Sequence, residues 1–236
     1  MDSLYIVIPA YNEAENVHRL VEEWYPVVQK HNGNNASRLV VINDGSKDDT
    51  YALLQKEAKD KPLLLPLTKE NGGHGQTLLF GYDYAINHKA DYIFQTDADG
   101  QTNPAEFEQF WNQRKNHSAI IGSRPNREDG ALRVFVEKVL LSMLSIVFGV
   151  RIPDSNAPFR MMNREVLSKY IRKLPKDFNL PNVMLTTYMV YYKENVKFID
   201  ITFRPRQAGN NSMDIQKIAK IGMKALLDFA ALRKAM

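Results

Sequence analysis

Short apolar runs alternate with stretches of helical period through the first half of the chain, a rhythm that predicts βαβ units around a mostly parallel sheet. A strand is expected over residues 4–8, then a helix over 14–29 with Asn12 as its cap. A second strand over 38–43 runs into the turn Asp44-Gly45-Ser46, and Ser46 or Asp48 is expected to cap a helix through residue 58. A third strand follows over 63–67. The loop Asn71-Gly72-Gly73-His74-Gly75 opens a helix to about residue 87. The fourth strand, 91–96, is almost wholly apolar and is therefore expected at the centre of the sheet. Residues 97–103 form a loop, Pro104 suits the first turn of a helix, and 119–122 is a fifth strand.

After Arg124 the rhythm changes. Residues 126–130 are polar and turn-like. Residues 131–149 read as a helix that is apolar nearly all round, a pattern that favours the core over a membrane surface. Residues 196–203 alternate like a strand. From residue 215 onward Ile215, Ile218, Ala219, Gly222, Leu226 and Phe229 share one helical face, and Lys217, Lys220 and Lys224 share another.

Candidate chemistry gathers at the ends of the expected strands. Asp97-Ala98-Asp99-Gly100-Gln101 follows the buried fourth strand, at the kind of strand mouth where α/β proteins bind ligands. Two carboxylates and a carboxamide are hard ligands suited to Mg²⁺ or Mn²⁺. The same residues also read as an acidic turn ahead of Pro104, and the central strand before them favours the metal. Pro9, Tyr11 and Glu13 end the first strand and either flank a nucleobase or form a turn. Asp44 ends the second, where an acidic residue binds a base or ribose or else begins a capped turn.

Composition narrows the setting. The 236 residues include no cysteine, which excludes disulfides, thiolate metal sites and thiol nucleophiles. The formal charge of +4 is compatible with anionic partners, but the lysines are dispersed with no recurring aromatic platform among them, so no nucleic acid is expected. The N-terminus has no basic region or cleavage site of a secretory signal, and no stretch reaches the about 18 apolar residues of a spanning helix. Peripheral attachment to the cytoplasmic face of a membrane is expected, through the lysine-bearing final helix or a separate membrane protein.

Taken in order, Ile8-Pro9-Ala10-Tyr11-Asn12-Glu13, Asn43-Asp44-Gly45-Ser46, Asn71-Gly72-Gly73-His74-Gly75 and Asp97-Ala98-Asp99-Gly100-Gln101 resemble the family-2 glycosyltransferases. Gly122-Ser123-Arg124, residues 154–160 and residues 206–212 resemble that family's polyprenyl-phosphate branch. The resemblance implies a GT-A fold, with a nucleotide-sugar-binding half over 1–124, an acceptor-binding half of the same domain over 125–212, and an amphipathic helix over 213–236. It implies that Pro9, Tyr11, Glu13 and Asp44 hold base and ribose, and that Asp97, Asp99 and Gln101 hold Mg²⁺ or Mn²⁺. Arg124 and Arg133 would lie near the diphosphate and the acceptor phosphate, and Arg206 and Ser212 match a further segment of the branch. Met213 and Pro158 depart from its usual residues.

The expected activity is therefore inverting transfer of a sugar from a nucleoside-diphosphate sugar to a polyprenyl phosphate, in cell-envelope biosynthesis. A lipid phosphate is already ionised and needs no general base, whereas a saccharide hydroxyl does, with Asp154 as the candidate. Arg124, Arg133, Arg160 and Arg206 offer forked donors for phosphate. A saccharide acceptor and a non-catalytic nucleotide-sugar-binding protein remain the alternatives.

Overall fold

A computed structural model describes residues 2–125, 131–205 and 215–234, without the side chains of 34, 131–135, 215–223 and 226. Its centre is a seven-stranded sheet: β1 (Leu4–Ala10), β2 (Arg38–Asp44), β3 (Leu64–Lys69), β4 (Tyr92–Gln95), β5 (Ala119–Ser123), β6 (Arg160–Asn163) and β7 (Val196–Asp200). The strands lie in the order β3-β2-β1-β4-β6-β5-β7. All neighbours are parallel except β6, which runs antiparallel to both β4 and β5. The expected α/β class holds, and the fourth strand is central. The strand expected over 196–203 ends at Asp200, and beyond it Phe203 forms an isolated β-bridge with Thr102.

Successive residues of β1 and β2 alternate between two buried layers, so the runs read as continuously apolar. Tyr5, Val7, Val40 and Ile42 face one core, and Leu4, Ile6, Ile8, Leu39 and Val41 face the other. The second core is closed by α1 (Val17–Lys30), α2 (Thr50–Ala58) and α4 (Phe107–Trp111). Helix α1 buries Val17, Leu20, Val21, Trp24 and Val28, the stripe of an amphipathic helix, and Trp24 packs against Phe94, Phe107 and Phe159.

The first core is closed by α3 (His74–Asn87), α5 (Ala131–Phe148), α6 (Arg164–Ile171), α7 (Pro181–Tyr191) and α8 (Ile215–Lys234). Helix α5 departs from expectation. Among its described side chains only Leu144 and Phe148 are buried, Phe148 lying 6.2 Å from Phe229 of α8, while Ile146 is 84% exposed. Among the described side chains of α8, Ala225, Phe229 and Leu232 are buried and Lys224 is exposed. No helix among the described residues is long and apolar enough to cross a membrane.

Two caps differ from the sequence reading. Helix α1 begins only at Val17, because residues 14–16 form a turn in which Asn16 and Val17 donate their N–H groups to the Glu13 carbonyl. Asn12 instead takes the left-handed conformation (φ 54°) and accepts the Lys47 N–H with its side chain, joining the ends of β1 and β2. Asp48 accepts the Thr50 N–H at 3.1 Å and so serves the start of α2.

Candidate active site

Chain progress from β1 to β3 steps outward across the sheet, and β4 then returns to the other side of β1. Such a reversal parts the loops at the carboxyl ends of the strands and leaves a crevice. A cleft of about 870 Å³ opens there, and Pro9, Tyr11, Glu13, Asp44, Asp97 and Asp99 all line it. Residues that stood far apart in sequence as strand ends thus share one wall.

Asp44 is buried at the cleft, and three donors steady its carboxylate. Its carboxylate accepts the Lys69 ammonium at 2.5 Å and the N–H groups of Gly72 and Gly73 at 2.9 Å each. Burial works against its charge, but these donors outweigh it and hold the carboxyl below its ordinary value. Asp44 and Lys69 are register partners at the ends of adjacent parallel strands. That pairing was the available sequence signal for Lys69, which sequence reasoning missed. The glycine-rich loop therefore serves Asp44 through its backbone. Behind it, a Cβ on Gly75 would collide with the carbonyls of Phe178 and Asn179, so α3 begins in close contact with the chain ahead of α7.

Glu13 is buried, and its carboxylate accepts the Asn16 amide at 2.5 Å. Tyr11 is 43% exposed, with its ring at the cleft edge.

Asp97 and Asp99 follow β4, both partly exposed at the cleft. Oδ1 of Asp97 accepts the Gln95 amide at 3.3 Å and lies 4.0 Å from Nε2 of His74. Oδ1 of Asp99 accepts the Gln101 N–H at 3.1 Å. Arg19 of α1 reaches the Asp99 carbonyl and fills the space where a side chain at Gly100 (φ 71°) would stand. Gln101 is buried and is not among the cleft-lining residues. Its amide nitrogen donates to the Arg204 carbonyl at 3.0 Å and its carbonyl accepts the Arg204 N–H at 2.7 Å, tying the loop to the chain beyond β7.

Two carboxylates one residue apart supply the hard oxygen donors that Mg²⁺ and Mn²⁺ take. Among the described residues no three or more histidine, cysteine or acidic side chains form a complete cage. Remaining positions would fall to water and ligand oxygens, which fits an ion carried with a diphosphate. Asp97 and Asp99 fit the expected metal, whereas Gln101, expected as a third ligand, is buried away from the cleft lining with its side-chain nitrogen on the Arg204 carbonyl.

The arginines behave differently from expectation. Arg124 and Asp154 are both buried and form a bidentate pair, Nε to Oδ2 at 2.7 Å and Nη2 to Oδ1 at 2.9 Å. Burial opposes the Arg124 charge, and the Asp154 pairing more than restores it, leaving the guanidinium above its ordinary value. Asp154 also accepts the N–H groups of Arg124 and Asn156. A carboxylate so fully occupied is a brace, which corrects its reading as a general base. Arg160 is fully buried and donates to the carbonyls of Ala157 and Asn182 and to the Thr186 hydroxyl, which corrects its reading as a phosphate donor. Arg133 lies in α5 with its side chain outside the described residues, as are Arg206 and Ser212 altogether.

The architecture is that of the GT-A glycosyltransferases. Glucosyl-3-phosphoglycerate synthase from Mycobacterium tuberculosis, crystallised with Mn²⁺, UDP-glucose and phosphoglyceric acid, superposes with a TM-score of 0.72 at 15% identity, over 99% of this chain and 80% of that one. Residues 5–171 match the family model for glycosyl transferase family 2, and the chain belongs to that family. Curated relatives include an undecaprenyl-phosphate 4-deoxy-4-formamido-L-arabinose transferase of Pectobacterium atrosepticum, 24% identical over 92% of this chain and 64% of that protein. A dolichyl-phosphate beta-glucosyltransferase of Trichomonas vaginalis is 30% identical over 69% of this chain and 53% of that protein. The chain thus spans about half to two thirds of the length of the curated relatives it matches.

Proposed function

We propose that this protein transfers a sugar from a nucleoside-diphosphate sugar to a polyprenyl phosphate, with inversion, at the cytoplasmic face of a membrane. The observation that carries the reading is the convergence of Glu13, Asp44, Asp97 and Asp99, from three parallel strand ends, on one cleft. Pro9, Tyr11, Glu13 and Asp44 hold the base and ribose, and Tyr11 offers a ring face to the base. Asp97 and Asp99 hold Mg²⁺ or Mn²⁺, and Gln101 steadies their loop. The ion supplies neutralisation of the charge that gathers on the departing diphosphate. Arg133, Arg206 and Ser212 meet the phosphates, while Arg124, locked to Asp154, shapes the wall. Residues 1–124 carry the donor and 125–212 the acceptor, and the helix of 213–236 rests on the membrane surface or on a separate membrane protein.

A phosphate acceptor is favoured over a saccharide hydroxyl because Asp154, the side chain proposed as a base, has its oxygens committed to Arg124 and to backbone donors. The curated relatives carry undecaprenyl-phosphate or dolichyl-phosphate in their names, which supports the same acceptor class. The test offers labelled nucleotide sugars with Mn²⁺ or Mg²⁺, with and without polyprenyl phosphate. Label should enter the organic phase only when the lipid is present. Metal-dependent release of nucleoside diphosphate with transfer of the sugar to a saccharide, and no lipid product, would move the acceptor. Binding of nucleotide sugar without any turnover would leave a non-catalytic binding protein.

A further inference from the structure

Behind the cleft wall lies a buried polar cluster that the transfer reaction does not itself use. Gln95, the last residue of β4, has no exposed surface, an unusual setting for a carboxamide. Its Nε2 donates to Oδ1 of Asp97, and its Oε1 lies 3.1 Å from the hydroxyl of Tyr82. That hydroxyl is also 3.1 Å from the side-chain amide of Asn182. Tyr82 is itself fully buried, on α3, and burial pushes its phenol far above the ordinary tyrosine range, so it stays a donor. The backbone of Asn182 is pinned in turn, its carbonyl accepting Arg160 at 3.1 Å and the Thr186 hydroxyl at 2.8 Å.

The hydrogen bonding has one consistent orientation. A carboxylate at Asp97 only accepts, so Gln95 must turn its NH₂ toward it. The Gln95 oxygen then faces Tyr82 and takes the single hydroxyl proton. Oδ1 of Asn182 lies within reach of the same hydroxyl as a second acceptor, at 3.1 Å. The Gln95 orientation is thus dictated by its neighbours, and the chain of contacts ends on Oδ1 of Asp97, a residue that lines the cleft.

We propose that Gln95 is a positioning residue for the Asp97 carboxylate, held in its working orientation by Tyr82 and Asn182. This rests on the reading of Asp97 and Asp99 as metal-holding residues. Partners of that kind orient a ligand, and their loss costs about 10–100-fold in metal affinity.

The experiment measures Mn²⁺ binding directly, from the electron paramagnetic resonance signal of free Mn²⁺, with UDP or GDP present. Gln95→Met removes the donor at similar length, and Tyr82→Phe removes only the hydroxyl. Tyr188→Phe, at another buried tyrosine, serves as the control. The expected result is affinity about tenfold weaker in Gln95→Met and several-fold weaker in Tyr82→Phe. The double variant should be no weaker than Gln95→Met alone, because Tyr82 acts through Gln95. Tyr188→Phe should bind as the parent does. Should Gln95→Met fail to fold, Tyr82→Phe against Tyr188→Phe decides the matter. Parent-like affinity in folded Tyr82→Phe and Gln95→Met, or losses that simply multiply in the double variant, would overturn the proposal alone. A parent protein that binds no Mn²⁺ would overturn the metal reading and this proposal with it.

Discussion

The wall of the cleft and the region around Arg124 are both rich in charge, yet they use it in opposite ways. At the cleft, Asp97 and Asp99 remain partly exposed and line the opening. Around Arg124, charge is turned inward: Arg124 and Asp154 close on each other, and Arg160 is spent on carbonyls. A charged residue near a strand end therefore signals a ligand only when the fold leaves that charge facing the opening. Asp44 lies between the two cases, lining the cleft while held by Lys69 and two backbone donors.

The largest effect expected from breaking this contrast is on the inward side. Asp154→Ala leaves a buried guanidinium without its carboxylate and should cost about 3–5 kcal/mol in urea unfolding. Arg124→Met combined with Asp154→Leu should recover most of that loss, since a packed apolar pair replaces the ion pair. On the open side the signature reverses. Asp99→Ala should lower transfer by about a hundred- to a thousandfold in an initial-rate assay, while its unfolding midpoint stays near that of the parent.

Gly75→Ala comes next. Its methyl meets two backbone carbonyls, so the start of α3 must shift, at about 1–3 kcal/mol in thermal unfolding. The glycine-rich loop should loosen with it, and nucleotide-sugar KM should rise.

Acid titration sharpens the intermediate case. The Asp44 carboxyl is held below its ordinary value of 3.8, so its contribution to stability is complete above that pH and is lost as pH falls through the depressed value. Asp44→Asn should flatten this part of the acid limb in chemical denaturation and leave the curve near neutral pH parallel to that of the parent. The smallest change in stability, within about 0.5 kcal/mol, is expected for Ile146→Ser with Leu227→Ser, two apolar residues exposed on α5 and α8.

Much of the cleft wall was legible in the sequence because its logic is local. Each apolar strand ends where a polar residue begins, and the parallel sheet brings those ends together. The other half was harder for particular reasons. Strand β6 is only four residues long, and its first residue, Arg160, looks like a surface position. Its place between β4 and β5 is set by tertiary pairing, which no periodicity records. Helix α7 is buried almost all round, so it carries no amphipathic stripe to read. Helix α5, apolar in sequence, fully buries Leu144 and Phe148 among its described side chains and packs Leu140, Leu141, Met143 and Val147 partly buried against the core, while Ile146 faces out. The Asp154 brace was invisible because Arg124 stands thirty residues away, and only the fold pairs them.

Under the proposed function one sheet serves two substrates, the β1, β2 and β4 mouths taking the donor and the second half the acceptor phosphate. The most direct measurement is steady-state transfer of labelled sugar into polyprenyl phosphate, varying both substrates, for Asp44→Asn and Arg206→Ala. Asp44→Asn should raise KM for the nucleotide sugar alone, and Arg206→Ala should raise KM for the lipid phosphate alone. No label in the organic phase from the parent protein, or both substitutions acting on the same substrate, would contradict it.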